Sequence, residues 1–310
     1  MSGGAARPAV TPGGPVASLL AALAIGLLRA LPPAARTALA RLVARVAFAL
    51  GIRRRITLDN LARAFPEKPQ AERVQLARAA YANMALAAVE SICSDLIPDA
   101  ELERAVQASQ AGSWPSLEAL LVGRKPVLIA SAHFGSWELF AEVMARRKFA
   151  FSAVVRPLAG AFNARVVAAR QAAGVELILQ RGAMKGIFAA LKQGRAVVQL
   201  IDQSLPARHG VFVPFFGRPA STTPSLSLAA LRTGAPVYVV MAAREGQGLK
   251  MFVEGPLALP DTGDRHADLC AHTAALTAQI ERIIRQYPDQ WLWLHRRWKV
   301  QPGHPAAPGR

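Results

Sequence analysis

Cysteine is almost missing from this chain of 310 residues: Cys93 and Cys270 stand far apart, with no Cys-x-x-Cys pairing. That excludes a disulfide scaffold and a cysteine zinc site, and it fits a reducing compartment. Carboxylates are scarce at the amino end. None precedes Asp59, whereas Arg7, Arg29, Arg36, Arg41, Arg45, Arg53, Arg54 and Arg55 all do. Twenty Asp+Glu against 37 Lys+Arg leave a formal charge of +17, which favours polyanions, either nucleic acid or an anionic membrane surface. Charged residues make up only 18% and hydrophobic ones 52%, so disorder throughout is excluded and a sizeable core is available.

A long apolar run is also lacking. Val16 to Leu28, VASLLAALAIGLL, falls short of the roughly 17–25 residues a spanning helix needs, and counting Ala30 and Leu31 beyond Arg29 makes it borderline. A signal peptide carries its basic charge before the apolar core; here the charge follows it, which favours an uncleaved anchor or an in-plane helix. Residues 37–50 extend this reading, because Leu39, Leu42, Val43 and Val46 share a helical face away from Arg41 and Arg45. The same pattern also suits a surface helix packed on the protein's own core.

Helix formers dominate 71–97, and Pro98 ends them. After Pro126 the texture changes. PVLIAS, AFSAVVR, ELILQ, AVVQLI and PVYVVMAA are short apolar runs, alternating with helical spacing at 137–147, 162–173, 183–193 and 223–233, and a further helix covers 266–286. The expected architecture is an α/β fold: an open mixed sheet flanked by helices, with an N-terminal membrane-associated helical segment. Residues 1–60 read as a flexible start plus attachment helices, 61–300 as one α/β unit, and 301–310 as a flexible tail. Active sites of such sheets lie beyond the carboxyl ends of strands.

Gly-x-Ser-x-Gly, Gly-x-Gly-x-x-Gly, P-loop and His-Glu-x-x-His signatures are all absent, which weakens hydrolase, dinucleotide, nucleotide and zinc-peptidase readings. What stands out is SAHFGSWELF at 131–140, between an expected strand and an expected helix. His133 sits at the strand exit, and the turn length allows Glu138 to fold back against its imidazole as a base and its orienter. Such a pair suits acyl transfer to an alcohol; a hydrogen-bonded structural histidine is the plain alternative. Asp202 and Gln203 end another strand, where a polar pair can face the same cleft and position groups there. Thr222, Thr223 and Pro224 open a helix, either capping it or presenting amides to an anion. Phe212, Phe215 and Phe216 suit core or an acyl groove, and Trp291, Trp293 and Trp298 suit an interfacial belt or packing under the sheet.

SAHFGSWELF resembles the first block of the lysophospholipid acyltransferase superfamily, in which a His and an acidic residue flank four intervening positions. NLARAFPEK at 60–68, VVRPL at 154–158, RGAMKGI at 181–187, IDQSLPARHGVFVPFFGRPASTTPS at 201–225 and QYPDQWLWLHRRWK at 286–299 narrow the resemblance to the late lipid A acyltransferases. The resemblance implies His133 as general base with Glu138 as its charge partner. It also implies a fatty acyl thioester on acyl carrier protein as donor and a hydroxyl of a lipid A precursor as acceptor. No cofactor and no metal are expected. Arg156, Asn163 and Arg170, with Asp202 and Gln203, take substrate-binding roles on this reading, and a guanidinium such as that of Arg170 can fork onto a lipid phosphate. The expected location is the cytoplasmic face of a bacterial inner membrane, on an anionic surface, with no nucleic acid bound. Acylation of another glycolipid or an aminolipid, from acyl-CoA or acyl carrier protein, is the alternative within this chemistry. A non-catalytic basic membrane or nucleic-acid binder is the alternative outside it.

Overall fold

The apolar runs after Pro126 become strands. The computed structural model describes residues 15–107, 112–156, 164, 167–168, 170–171, 174–246 and 248–303. Its strands are Val127–Ser131 (β1), Phe151–Val155 (β2), Glu176–Leu179 (β3), Ala196–Leu200 (β4), Val211–Phe215 (β5), Arg218–Thr222 (β6), Val237–Glu245 (β7) and Gly248–Glu254 (β8). Six of them form one sheet in the order β3-β2-β4-β1-β7-β8, while β5 and β6 form a separate hairpin. Strands β3, β2, β4, β1 and β7 pair in parallel, and β8 joins β7 antiparallel, so the sheet is mixed.

Helices cover both faces. They are Pro15–Ala30 (α1), Pro33–Ala49 (α2), Arg54–Ala64 (α3), Gln70–Cys93 (α4), Asp99–Gln107 (α5), Trp114–Val122 (α6), Trp137–Arg146 (α7), Ala183–Lys192 (α8), Ser225–Thr233 (α9) and Arg265–Gln286 (α10). Because successive strand residues point to opposite faces, Leu128, Ala130, Val197, Val237 and Val239 pack with Ile187 of α8, Leu226 of α9 and Ile280 of α10. Val127, Ile129, Ala196, Tyr238 and Val240 pack on the other side with Leu117 of α6 and Leu139 and Val143 of α7. Strand β1 is buried along its whole length, which is why its sequence is an unbroken apolar run rather than an alternation.

The helix expected over 71–97 ends at Cys93 and passes into a 3-10 turn over Ser94–Leu96. Most of the segment 162–173 lies outside the described residues. The β5–β6 hairpin and β8 were not expected from the sequence. The hairpin turns through Phe216 and Gly217, both at positive φ (51° and 67°), a type I′ geometry that Asn-Gly usually signals and Phe-Gly does not.

Helix α2 turns its small residues inward. Ala40, Ala44 and Phe48 are buried, and Phe48 meets Tyr81 of α4 edge to face at 5.2 Å. Leu39, Leu42, Val43 and Val46 do share a face, and that face is exposed: Leu42 keeps 55% of its surface and Val43 54%. With Ala47, Leu50 and Ile52, the last three of these line an open apolar depression of about 320 Å³. Leu19, Leu20, Leu23 and Leu27 of α1 are exposed as well. At its end α1 is tied to the fold by Arg29, which donates to both carboxylate oxygens of Asp95 at 2.7 Å and to the Ile92 carbonyl at 2.8 Å. Among the described residues no helix is long and apolar enough to cross a membrane.

Candidate active site

Strand register brings the site together. Strands β1 and β4 are parallel neighbours with Ser131 opposite Leu200, so two more residues along each place His133 beside Asp202 at the carboxyl edge of the sheet. Nδ1 of His133 lies 2.9 Å from Oδ1 of Asp202, and the His133 backbone N–H donates to Oδ2 at 2.9 Å. The indole N–H of Trp291 donates to the same Oδ2, also at 2.9 Å. Burial alone would raise the Asp202 carboxyl. The His133 charge and the hydrogen bonds from His133 and Trp291 outweigh it and hold the group at about 2. An ionised Asp202 can only accept, which makes Nδ1 the protonated nitrogen and leaves the lone pair on Nε2. The Gln203 amide nitrogen lies 3.5 Å from Nε2, on the side a substrate can approach. His133 keeps 23% of its side-chain surface and Asp202 only 2%, so the imidazole is reachable and its carboxylate partner is not.

The turn after His133 is held from two directions. Gly135 has φ of +52°, and a Cβ there would lie 2.0 Å from the Ala242 carbonyl oxygen of β7, so only glycine fits. Its N–H donates to the Gln290 carbonyl, the Ser136 N–H donates to the Ala242 carbonyl, and the Leu292 N–H donates to the His133 carbonyl, at 2.9, 2.9 and 3.0 Å. The carboxyl-terminal segment thus adds itself to the turn after His133. Trp291, Trp293 and Trp298 are buried, which settles them as packing rather than an interfacial belt. Phe215 and Phe216 are likewise core.

Asn60 of α3 fixes that segment by donating to the carbonyls of Trp293 and His295 at 2.8 and 2.7 Å. His295 accepts from the Ser204 N–H at 3.0 Å, and burial pushes its imidazole down to about 4, so it stays neutral near pH 7. Arg297 is fully buried and donates to the Ser221 carbonyl and the Thr222 hydroxyl, with its guanidinium 5.2 Å over Phe215. Burial pushes Arg297 down to about 10, with Asp202 pulling the other way, so it remains charged at neutral pH. These supports were missed in the sequence because each acts across a large separation; only the NLARAFPEK and WLWLHRRWK blocks hinted at them.

Glu138 stands elsewhere than expected. Its Oε1 accepts from the indole N–H of Trp137 at 3.0 Å, from Arg170 and, at 3.4 Å, from the Ser91 hydroxyl of α4. It makes no hydrogen bond to His133. The orienting carboxylate in the structure is Asp202, because α7 starts at Trp137 and carries the Glu138 side chain toward α4. Asp202 is bonded to the ring and backbone of His133, and Arg170 is engaged by Glu138. Gln203 is beside His133 and Arg156 is exposed just past β2, while Asn163 lies outside the described residues. Thr222 caps nothing: its hydroxyl donates to the Ala220 carbonyl and accepts from Arg297. Thr223 sits beside Ser225, whose hydroxyl reaches Gln199 at 2.6 Å. No cluster of His, Cys, Asp and Glu suited to a metal occurs among the described residues.

A reachable imidazole with a buried carboxylate behind it, at the carboxyl edge of an α/β sheet, is an arrangement that can serve general-base group transfer. The profile of bacterial lipid A biosynthesis acyltransferases matches residues 15–300, and the chain belongs to that family of acyltransferases. It is 25% identical over 253 residues to the lipid A biosynthesis palmitoleoyltransferase of Escherichia coli K12, covering 81% of this chain and 80% of that one. It is 26% identical over 254 residues to the lipid A biosynthesis lauroyltransferase of the same organism, with the same coverage. A phosphatidylinositol mannoside acyltransferase of Mycolicibacterium smegmatis is 28% identical over 190 residues, 60% of this chain and 59% of that one.

Proposed function

We propose that this protein transfers a fatty acyl chain from a thioester on acyl carrier protein to a hydroxyl of a lipid A precursor, with His133 as general base. The observation that carries this reading is the His133–Asp202 pair, which leaves the Nε2 lone pair at the sheet edge beside Gln203. Nε2 takes the hydroxyl proton as the lipid oxygen bonds to the thioester carbonyl carbon, and the imidazolium is stabilised by Asp202. The tetrahedral intermediate then collapses, the carbon–sulfur bond breaks, and the proton passes from Nε2 to the departing thiolate. Ester and free thiol result, and His133 is neutral again.

Charge supports an acidic donor carrier. Between residues 143 and 244 the chain has fourteen Lys+Arg and two carboxylates, Glu176 and Asp202. Arg156, Arg181, Lys185 and Arg208 are all exposed around the carboxyl ends of β2, β3 and β4. Such a field steers an acidic protein toward the cleft. The test is mass spectrometry of lipid A from cells with and without this gene product, together with purified protein given acyl thioester and precursor. An added acyl mass that depends on the protein is the expected result; unchanged lipid A in both settings would sink the proposal. The likeness to the mannoside acyltransferase favours, as second reading, a different glycolipid acceptor, which the same assay resolves by the lipid that gains mass.

The acceptor is a lipid, and the exposed faces of α1 and α2 suit its surface. We infer that Leu42, Val43, Val46, Leu50 and Ile52 enter an anionic leaflet at the cytoplasmic face of the inner membrane, with Arg41, Arg45, Arg53, Arg54 and Arg55 at headgroup level. The double variant Leu42→Glu/Val46→Glu loses apolar burial in lipid and gains two negative charges. Its partition onto phosphatidylglycerol vesicles is expected to fall roughly tenfold or more, with little change in Tm because both side chains are already exposed. Unchanged sedimentation with vesicles would place the docking surface elsewhere.

A further inference from the structure

Glu138 is a buried carboxylate whose three donors all converge on one oxygen, yet none of them is His133. The donor that does meet His133 is Trp137. Its ring centroid lies 5.6 Å from that of the imidazole at an interplanar angle of 64°, an edge contact. The imidazole is thus held by Asp202 at Nδ1 and bounded by an indole on its ring, and the indole is itself anchored through Nε1 to Glu138 at 3.0 Å. Only 8% of the Glu138 side chain is exposed, and Arg170 supplies the opposite charge that a buried carboxylate requires. Ser91 adds a third bond from α4.

We propose that Trp137 is a positioning residue: held by Glu138 against His133, it screens Nε2 from water, so that the acyl group passes to a lipid hydroxyl and not to water. The inference rests on the acyltransfer reading above. Its chemical need is general, because a base able to activate an alcohol also activates water. In the unwanted step a water proton goes to Nε2, the water oxygen bonds to the acyl carbon, and the thiolate leaves and takes the proton, giving fatty acid and thiol. Glu138 enters through the indole, without touching the imidazole.

The experiment measures, on the full chain with acyl thioester and lipid acceptor, free fatty acid formed per ester formed. Trp137→Ala is expected to raise that ratio roughly tenfold, and Trp137→Phe, which keeps an aromatic wall, to hold it within about threefold of wild type. Glu138→Gln retains an oxygen to accept from the indole and should stay near wild type, whereas Glu138→Ala, which like Trp137→Phe leaves the ring without its anchor, should approach the Trp137→Phe value. Thermal unfolding identifies any variant that fails to fold, and the two conservative variants carry the test in that event. A Trp137→Ala protein with the wild-type ratio overturns the inference, as does Glu138→Gln falling as far as Glu138→Ala, which would give the Glu138 charge a direct task. A wild type that acylates no lipid hydroxyl overturns the acyltransfer reading and this inference with it; a wild type that does so isolates any failure to Trp137.

Discussion

Replacing His133 with Ala lowers kcat for acyl transfer by about a thousandfold or more, while binding to anionic vesicles and Tm stay near wild type. The size of the effect follows from geometry. Among the described residues Gln203 is the polar side chain hydrogen-bonded near Nε2, and an amide cannot take a proton from an alcohol at neutral pH. The fold survives because the ring is part-exposed, and the backbone bonds of residue 133 to Asp202 and Leu292 do not need the side chain. Vesicle binding is expected to survive because the exposed apolar residues of α1 and α2 make no hydrogen bond to His133. Activity assays with single-turnover kinetics check the first statement and vesicle sedimentation the second. Equal turnover in variant and wild type would remove the base assignment.

The second large effect is that of Asp202→Asn. Asp202 offers two acceptor oxygens, one to Nδ1 of His133 and the other to the His133 backbone N–H and the Trp291 indole. Asparagine has one. Its oxygen best serves the two donors at the Oδ2 position, which turns the amide NH2 toward Nδ1. Nδ1 must then accept, the ring proton moves to Nε2, and the base has lost its lone pair. A fall in kcat of about 10³–10⁴-fold is expected, the scale seen when a buried orienting carboxylate of a catalytic histidine is amidated. Combined with His133→Ala the loss should not add, since the two act as one unit. If Asp202→Asn cost no more than a few-fold, the orienting role would have to pass to another group.

The depressed carboxyl of Asp202 also has a pH signature. A carboxylate held at about 2 against an ordinary 3.8 binds its proton more readily in the unfolded chain. Its contribution to stability is therefore fully present above the unfolded value and is lost as pH falls toward 2, a range in which wild type but not Asp202→Asn should show this loss of Tm. Above that window Asp202 stays ionised, so an acid limb in the rate profile near neutrality is not its titration.

Strands β1 to β4 and β7 and helices α7, α8 and α9 were readable because each element's period is local: unbroken apolar runs for buried parallel strands, helical spacing between them. His133 could be found because it follows such a run directly. Its partner was readable only in part: Asp202 could be set at a strand end facing the same cleft, but not as the group bonded to the ring. Glu138 lies five residues on and looked suited, but the start of α7 directs it to Arg170 and Ser91. Asp202 lies 69 residues on and reaches His133 only because β4 and β1 are neighbours. The β5–β6 hairpin escaped for a different reason: Phe216 adopts positive φ without being one of the residue types that usually signal it. For α2 the pattern did show an apolar face at Leu39, Leu42, Val43 and Val46. It did not show that the smaller Ala40, Ala44 and Phe48 face is the one that packs on α4.

The sequence by itself determined an α/β chain with a histidine at a strand exit, an arginine-rich and apolar amino end, and the lack of Cys-x-x-Cys, Gly-x-Gly-x-x-Gly and P-loop signatures. These depend on composition and on neighbours a few residues apart. Tertiary structure alone decided which carboxylate holds the imidazole, that the carboxyl-terminal tryptophans brace the turn after His133, and which face of α2 remains uncovered. Those outcomes depend on strand order and helix packing, which bring together groups tens to hundreds of residues apart and leave no period in the chain to read.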